Sequence, residues 1–77
     1  MFDKEKIGNH AGVIWRLMAA SPDHRYWTVK QLALETQLSE DDVCAAVGWL
    51  AREDKIEFET DNAHEETSLF LNLGYYF

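Results

Sequence analysis

Apolar residues recur at Ile7, Ala11, Ile14 and Met18, at i, i+4, i+7 and i+11, which places them on one stripe of an amphipathic helix. Asp3 stands where a helix cap is wanted, and acids in the first turn complement the helix dipole. The stripe runs into Ser21-Pro22, and proline disfavours helix at the residue before it, so the helix is predicted to end near Ala20. Arg25-Tyr26-Trp27 reads as a short extended piece, an edge strand for a small sheet. Thr28 with Gln31 makes a capping box, and Val29, Leu32, Ala33 and Thr36 then give the inward face of a second helix. Gln37-Leu38 is a turn, and Ser39 caps a third helix whose first turn holds Glu40, Asp41 and Asp42. Val43, Ala46, Val47 and Leu50 form its buried stripe, while Asp41, Ala45, Gly48 and Arg52 face away, with Trp49 on the shoulder.

Alternation replaces the helical period after Lys55. Residues 56–60 read as a half-buried strand, 61–66 as a polar loop tip, and 67–73 as a returning strand with Leu69, Leu71 and Leu73 on one face. The order is helix, strand, helix, helix, strand, strand. That is an α+β winged helix-turn-helix, three helices with a small antiparallel sheet, in one domain spanning residues 1–77.

Composition narrows the class of function. A chain of 77 residues, 47% hydrophobic and 13% aromatic, is globular, and at this size a single core is marginal and association helps. No apolar run approaches the roughly 20 residues needed to cross a membrane, and the opening MFDKEKIG has no apolar signal core, so a cytoplasmic address is expected. Cys44 is the one cysteine, consistent with a reducing compartment. The net charge of −7 is concentrated between Glu35 and Glu66, where eleven acids stand against Arg52 and Lys55. This is the half that would face nucleic acid in a DNA-reading protein of this fold, and its acids would lie within roughly one 8 Å Debye length of phosphate.

Candidate chemistry is sparse. Cys44 lies among Asp41, Asp42 and apolar residues, which discourage a thiolate, so a structural role is expected. His10, His24 and His64 fall in a helix, a loop and the wing tip, without metal-ligand spacing. No glycine-rich phosphate loop is present. The chain therefore reads as non-enzymatic, with no cofactor, metal or small-molecule ligand. Gly8 and Gly12 sit four apart on one side of the first helix, near Trp15. Each mid-helix glycine costs about 1 kcal/mol relative to alanine, so two together predict close approach of another backbone, either the chain's own third helix or a partner.

Two blocks carry a family resemblance: Ile7-Gly8, Ala11-Gly12 and Ile14-Trp15 in the first helix, and Val47 to Ile56 (VGWLAREDKI) at the end of the third. On these the chain resembles a small family of bacterial winged helix-turn-helix proteins, each about one domain long, over nearly its whole length. The resemblance implies the fold, and it implies no reaction and no ligand. The residues themselves favour a protein-interaction module, self-associating as a homodimer, since Trp and Arg beside small residues compose a packing surface. Its expected interface comprises Gly8, Gly12, Trp15, Leu34, Ala45, Gly48, Trp49, Arg52 and the aromatic stretch Tyr75-Tyr76-Phe77. The alternative is a transcription-regulator-type DNA binder that uses Arg25, Lys30, Arg52 and Lys55.

Overall fold

The computed structural model describes residues 3–63 and 66–72. Helix α1 (Lys4–Ala19) starts where Asp3 accepts a hydrogen bond from the Lys6 amide at 3.0 Å. It ends at Ala20, as the proline two residues on predicts. Helix α2 (Val29–Thr36) opens with the full capping box: Thr28 Oγ1 accepts from the Gln31 amide at 3.1 Å, and Gln31 Oε1 accepts from the Thr28 amide at 2.9 Å. It closes at Gln37, which takes the left-handed conformation at φ 62°. Thr36 steadies the turn by donating to Leu32 O and accepting from the Leu38 amide.

Helix α3 (Glu40–Arg52) is capped by Ser39, whose Oγ accepts from the Asp42 amide. At its far end Asp54 is left-handed at φ 59°, the Lys55 amide donates to Leu50 O, and the Asp54 amide donates to Ala51 O. This is the paired Schellman closure, with an aspartate in the place glycine usually fills.

Strands β1 (Ile56–Asp61) and β2 (Glu66–Leu71) pair antiparallel, from Ile56 opposite Leu71 to Asp61 opposite Glu66. The ladder thus reaches into the stretch 61–66 expected to be loop, because Asp61 and Glu66 still pair. The predicted edge strand is reduced to one bridge, Trp27 with Leu69, closed by two backbone hydrogen bonds of 2.9 and 2.7 Å. It does not lengthen past Trp27, because Val29, the next residue whose backbone would face β2, already begins α2.

The core lies between the helices and the root of the hairpin. Ala11, Ile14 and Met18 of α1 meet Leu32 of α2, Val43, Ala46, Val47 and Leu50 of α3, and Trp27, Ile56 and Leu69. Each fully buried Leu or Ile contributes about 1.5–3 kcal/mol from water exclusion alone. Cover stops quickly along the sheet. Ile56 is 2% exposed, whereas Phe58 on the same face is 47% exposed despite pairing with buried Leu69.

Candidate functional site

The solvent face of α3 is built by its register. Burying Val43, Ala46, Val47 and Leu50 turns Glu40, Asp41, Cys44, Gly48 and Arg52 outward, with Ala45 and Trp49 half-buried. Cys44 was expected among Asp41, Asp42 and apolar residues in a structural role; it is exposed, on the flank of α3 beside the Val43–Val47–Leu50 stripe. The wing continues this character, with Glu57, Glu59, Asp61 and Glu66 all exposed.

The four bases considered for DNA lie on four separate segments. Lys30 is exposed in the first turn of α2, and Arg52 ends α3. Lys55 lies between α3 and β1, its Nζ 3.8 Å from Glu53 Oε1. Arg25 precedes the Trp27 bridge, its guanidinium carbon 5.6 Å from the Tyr26 ring centre and 5.3 Å from that of Phe70. Tyr26 and Phe70 themselves meet edge to face at 5.5 Å. This cation–aromatic cluster holds Arg25 against the sheet, and only tertiary pairing of β2 with the Trp27 segment brings its members together.

Gly8, Gly12, Trp15 and Trp49, expected as interface residues, do converge. With Ala11, Arg16, Leu50, Glu53 and Lys55 they line a groove of about 460 Å³ between α1 and α3. The close crossing of α1 by α3 that would explain the glycines is not found among the described residues. A Cβ on Gly8 would meet nothing within 4 Å, and one on Gly12 would meet only the Arg16 guanidinium, at 3.4 Å. Gly48 likewise has nothing within 4 Å of a Cβ and faces solvent, so it does not ease packing against α1. Trp49 of α3 packs against the core at the edge of the groove.

Leu34 is 79% exposed and lies apart from these surfaces, in a shallow depression with Lys30, Ala33, Leu38, Ser39 and Glu40. Tyr75, Tyr76 and Phe77 lie outside the described residues. Sequence reasoning missed Trp27 as a core residue. It is 3% exposed, covered by the His24 ring stacked at 3.6 Å, and its Nε1–H is buried with no acceptor among the described residues. A lone bridge has no alternation to betray which way its side chain points, so no local signal was available. Among the described residues no three His, Cys, Asp or Glu side chains gather to hold a metal ion. No helix among them is long and apolar enough to cross a membrane.

Three helices, the second and third joined by a tight turn, followed by a two-stranded hairpin, define a winged helix-turn-helix. Domains of this class bind DNA or protein and are generally non-catalytic. The chain belongs to the DUF2582 family of winged helix-turn-helix domains, whose model matches residues 1–69. It is similar to protein BT2368 from Bacteroides thetaiotaomicron, solved by solution NMR, with 32% identity over 97% of this chain and 84% of that one and a TM-score of 0.75. At 22% identity it shares the fold of HOP2, a structure described for its DNA-recognition and protein-interaction domains, over 82% of this chain and 98% of that one (TM-score 0.68). At 18% identity it shares the fold of the adhesin competence repressor AdcR from Streptococcus pyogenes, over 83% of this chain and 45% of that one (TM-score 0.65). No curated protein sequence matches it.

Proposed function

We propose that this chain is a non-catalytic protein-interaction module that pairs with a second copy of itself through the outward face of α3. The observation that carries the reading is the make-up of that face. Asp41, Ala45, Gly48 and Arg52 form one stripe at i, i+4, i+7 and i+11, and the stripe is symmetric about its midpoint. When two copies of α3 cross antiparallel about a two-fold axis, Ala45 of one falls opposite Gly48 of the other. Asp41 then falls opposite Arg52 at each end. The contact is self-complementary, as a two-fold interface must be, and the small residues at its centre let the helices approach.

DNA reading is the weaker alternative. In this fold the phosphate-facing surface comprises α3 and the wing, and here its exposed charges are Glu40, Asp41, Glu57, Glu59, Asp61 and Glu66 against Arg52. Affinity for DNA comes largely from neutralised phosphates, and this surface repels them.

One helix face lies at the small end of stable interfaces, so the dimer is weak, forming at micromolar concentrations or above. Light scattering over a concentration series measures it, and a monomer at high micromolar concentration overturns the reading. The symmetry is tested by charge reversal. Asp41→Arg sets like charges across both ends and weakens association by roughly fivefold, about 1 kcal/mol, in line with exposed pairs. Adding Arg52→Asp to it restores association. Retention of DNA in a gel shift at physiological salt by submicromolar protein would favour the alternative instead.

A further inference from the structure

Strand β1 has an edge that no other described element pairs with. Leu69 commits its backbone amide and carbonyl to Trp27, so both point away from β1. Hydrogen-bonded and non-bonded pairs alternate along an antiparallel ladder, which makes Phe58 opposite Leu69 a non-bonded pair. The backbone groups of Phe58, and by the same alternation those of Ile56 and Thr60, therefore point outward from the sheet. Among the described residues none of them has a hydrogen-bond partner, and the sheet ends at β1. The side chains divide with the same period of two. Phe58 lies on the core face with Ile56 and Thr60, 47% exposed beyond the cover of the helices. Glu57, Glu59 and Asp61 are exposed on the other face. Glu57 meets Asn72 Nδ2 at 3.5 Å, and neither it nor Glu59 is in an ion pair among the described residues.

A bare strand edge is a template for another strand. A second copy of β1 fits it poorly. Outward-pointing residues pair with outward-pointing residues, so Phe58 would fall opposite Ile56, Phe58 or Thr60 of the copy. Those antiparallel registers set Glu57 opposite Glu57, Glu59 or Asp61, and like charges directly opposite destabilise a sheet. A strand with basic side chains at alternate positions reverses the sign. Its lysines or arginines face Glu57, Glu59 and Asp61, and the apolar residues between them lie against the exposed Phe58 ring.

We infer that the open edge of β1 receives an extended basic segment of a partner protein, added antiparallel as a further strand of the sheet. Main-chain hydrogen bonds to Ile56, Phe58 and Thr60 hold the segment, and its alternation of basic and apolar residues selects it. The site shares no residue with the α3 stripe, so this inference and the self-association can each fail alone.

A six-residue peptide of alternating lysine and valine, blocked at both ends, matches β1 in length and serves as the probe. Titrated into the isotope-labelled full chain to roughly millimolar concentration, it is expected to shift the Ile56, Phe58 and Thr60 amides saturably and to slow their exchange with solvent. N-methylation of its valines, whose amides face β1, should weaken binding by roughly tenfold, whereas N-methylation of its lysines, whose amides face away, should leave it within about twofold. Glu57→Lys combined with Glu59→Lys should weaken the lysine peptide by roughly tenfold and admit the matching glutamate–valine peptide. Both positions are exposed, and an unshifted Trp27 amide, bonded to Leu69, reports that the variant has folded. A peptide with its lysines in one block and its valines in another carries the same charge without the alternation. Equal binding of that peptide, or equal loss on methylating either set of amides, leaves charge alone as the cause and overturns the inference. Edge amides unmoved by the alternating peptide also overturn it, and leave the acids only the task of keeping β1 from pairing. Edge protection that appears without peptide and grows with protein concentration assigns the edge to a second copy, which overturns it as well.

Discussion

At the scale of single residues, the least comfortable positions lie at helix ends. Asp54 holds a left-handed backbone and puts a carboxylate at the negative end of the α3 dipole, beside Glu53. Asp54→Gly removes both penalties and keeps the carbonyl that Asn72 uses. Against this stands the greater freedom of glycine in the unfolded chain, so the net gain is expected to be about 0.5–1 kcal/mol. Thermal unfolding should register it as a rise of several degrees, since 1 kcal/mol moves Tm by about 4–8 °C in a domain of this size. Thr28→Ala works in the opposite direction. It takes away the acceptor for the Gln31 amide and should cost about 1 kcal/mol by denaturant titration. The capping pattern at Thr28 was legible in the sequence because both partners lie within one turn. The strain at Asp54 was not, because the sequence placed no turn residue there.

At the scale of elements, α3 divides into two independent faces. Its buried stripe is apolar and fixed by packing, and its exposed stripe owes nothing to the fold. Gly48 tests this separation. A Cβ there touches nothing, so Gly48→Ala should gain nearly the whole helix-propensity difference, about 1 kcal/mol, at concentrations where the chain is monomeric. Loss of stability on that substitution would mean that Gly48 is packed against something in the monomer after all. The sheet is the weaker element. It has two strands and a single bridge, and its outer half leaves Phe58 uncovered.

At the scale of the whole molecule, stability depends on a few large side chains. Leu32 is the only fully buried residue that α2 contributes, and it joins that helix to α3 and the rest of the core. Leu32→Ala is expected to cost about 2–5 kcal/mol, which for a chain of 77 residues is most or all of the folding free energy. Circular dichroism at 37 °C should then show a largely unfolded chain. The same narrow margin favours association with a second copy on α3, because it removes further apolar surface from water.

The sequence by itself determined the three helices, their caps, the hairpin and the stripe that each element buries. Those features depend on spacing within one or two turns, on cap chemistry and on alternation, all of which are written locally. It also determined the charge on the outward face of α3, since burying one stripe of a helix fixes what the other side presents. Only the tertiary structure decided that Trp27 is core and that Arg25 rests on Tyr26 and Phe70. It likewise decided that Gly8 and Gly12 line an open groove instead of easing a close helix crossing. Each of these depends on which distant segment comes alongside, and pairings between segments leave no period in the chain to read.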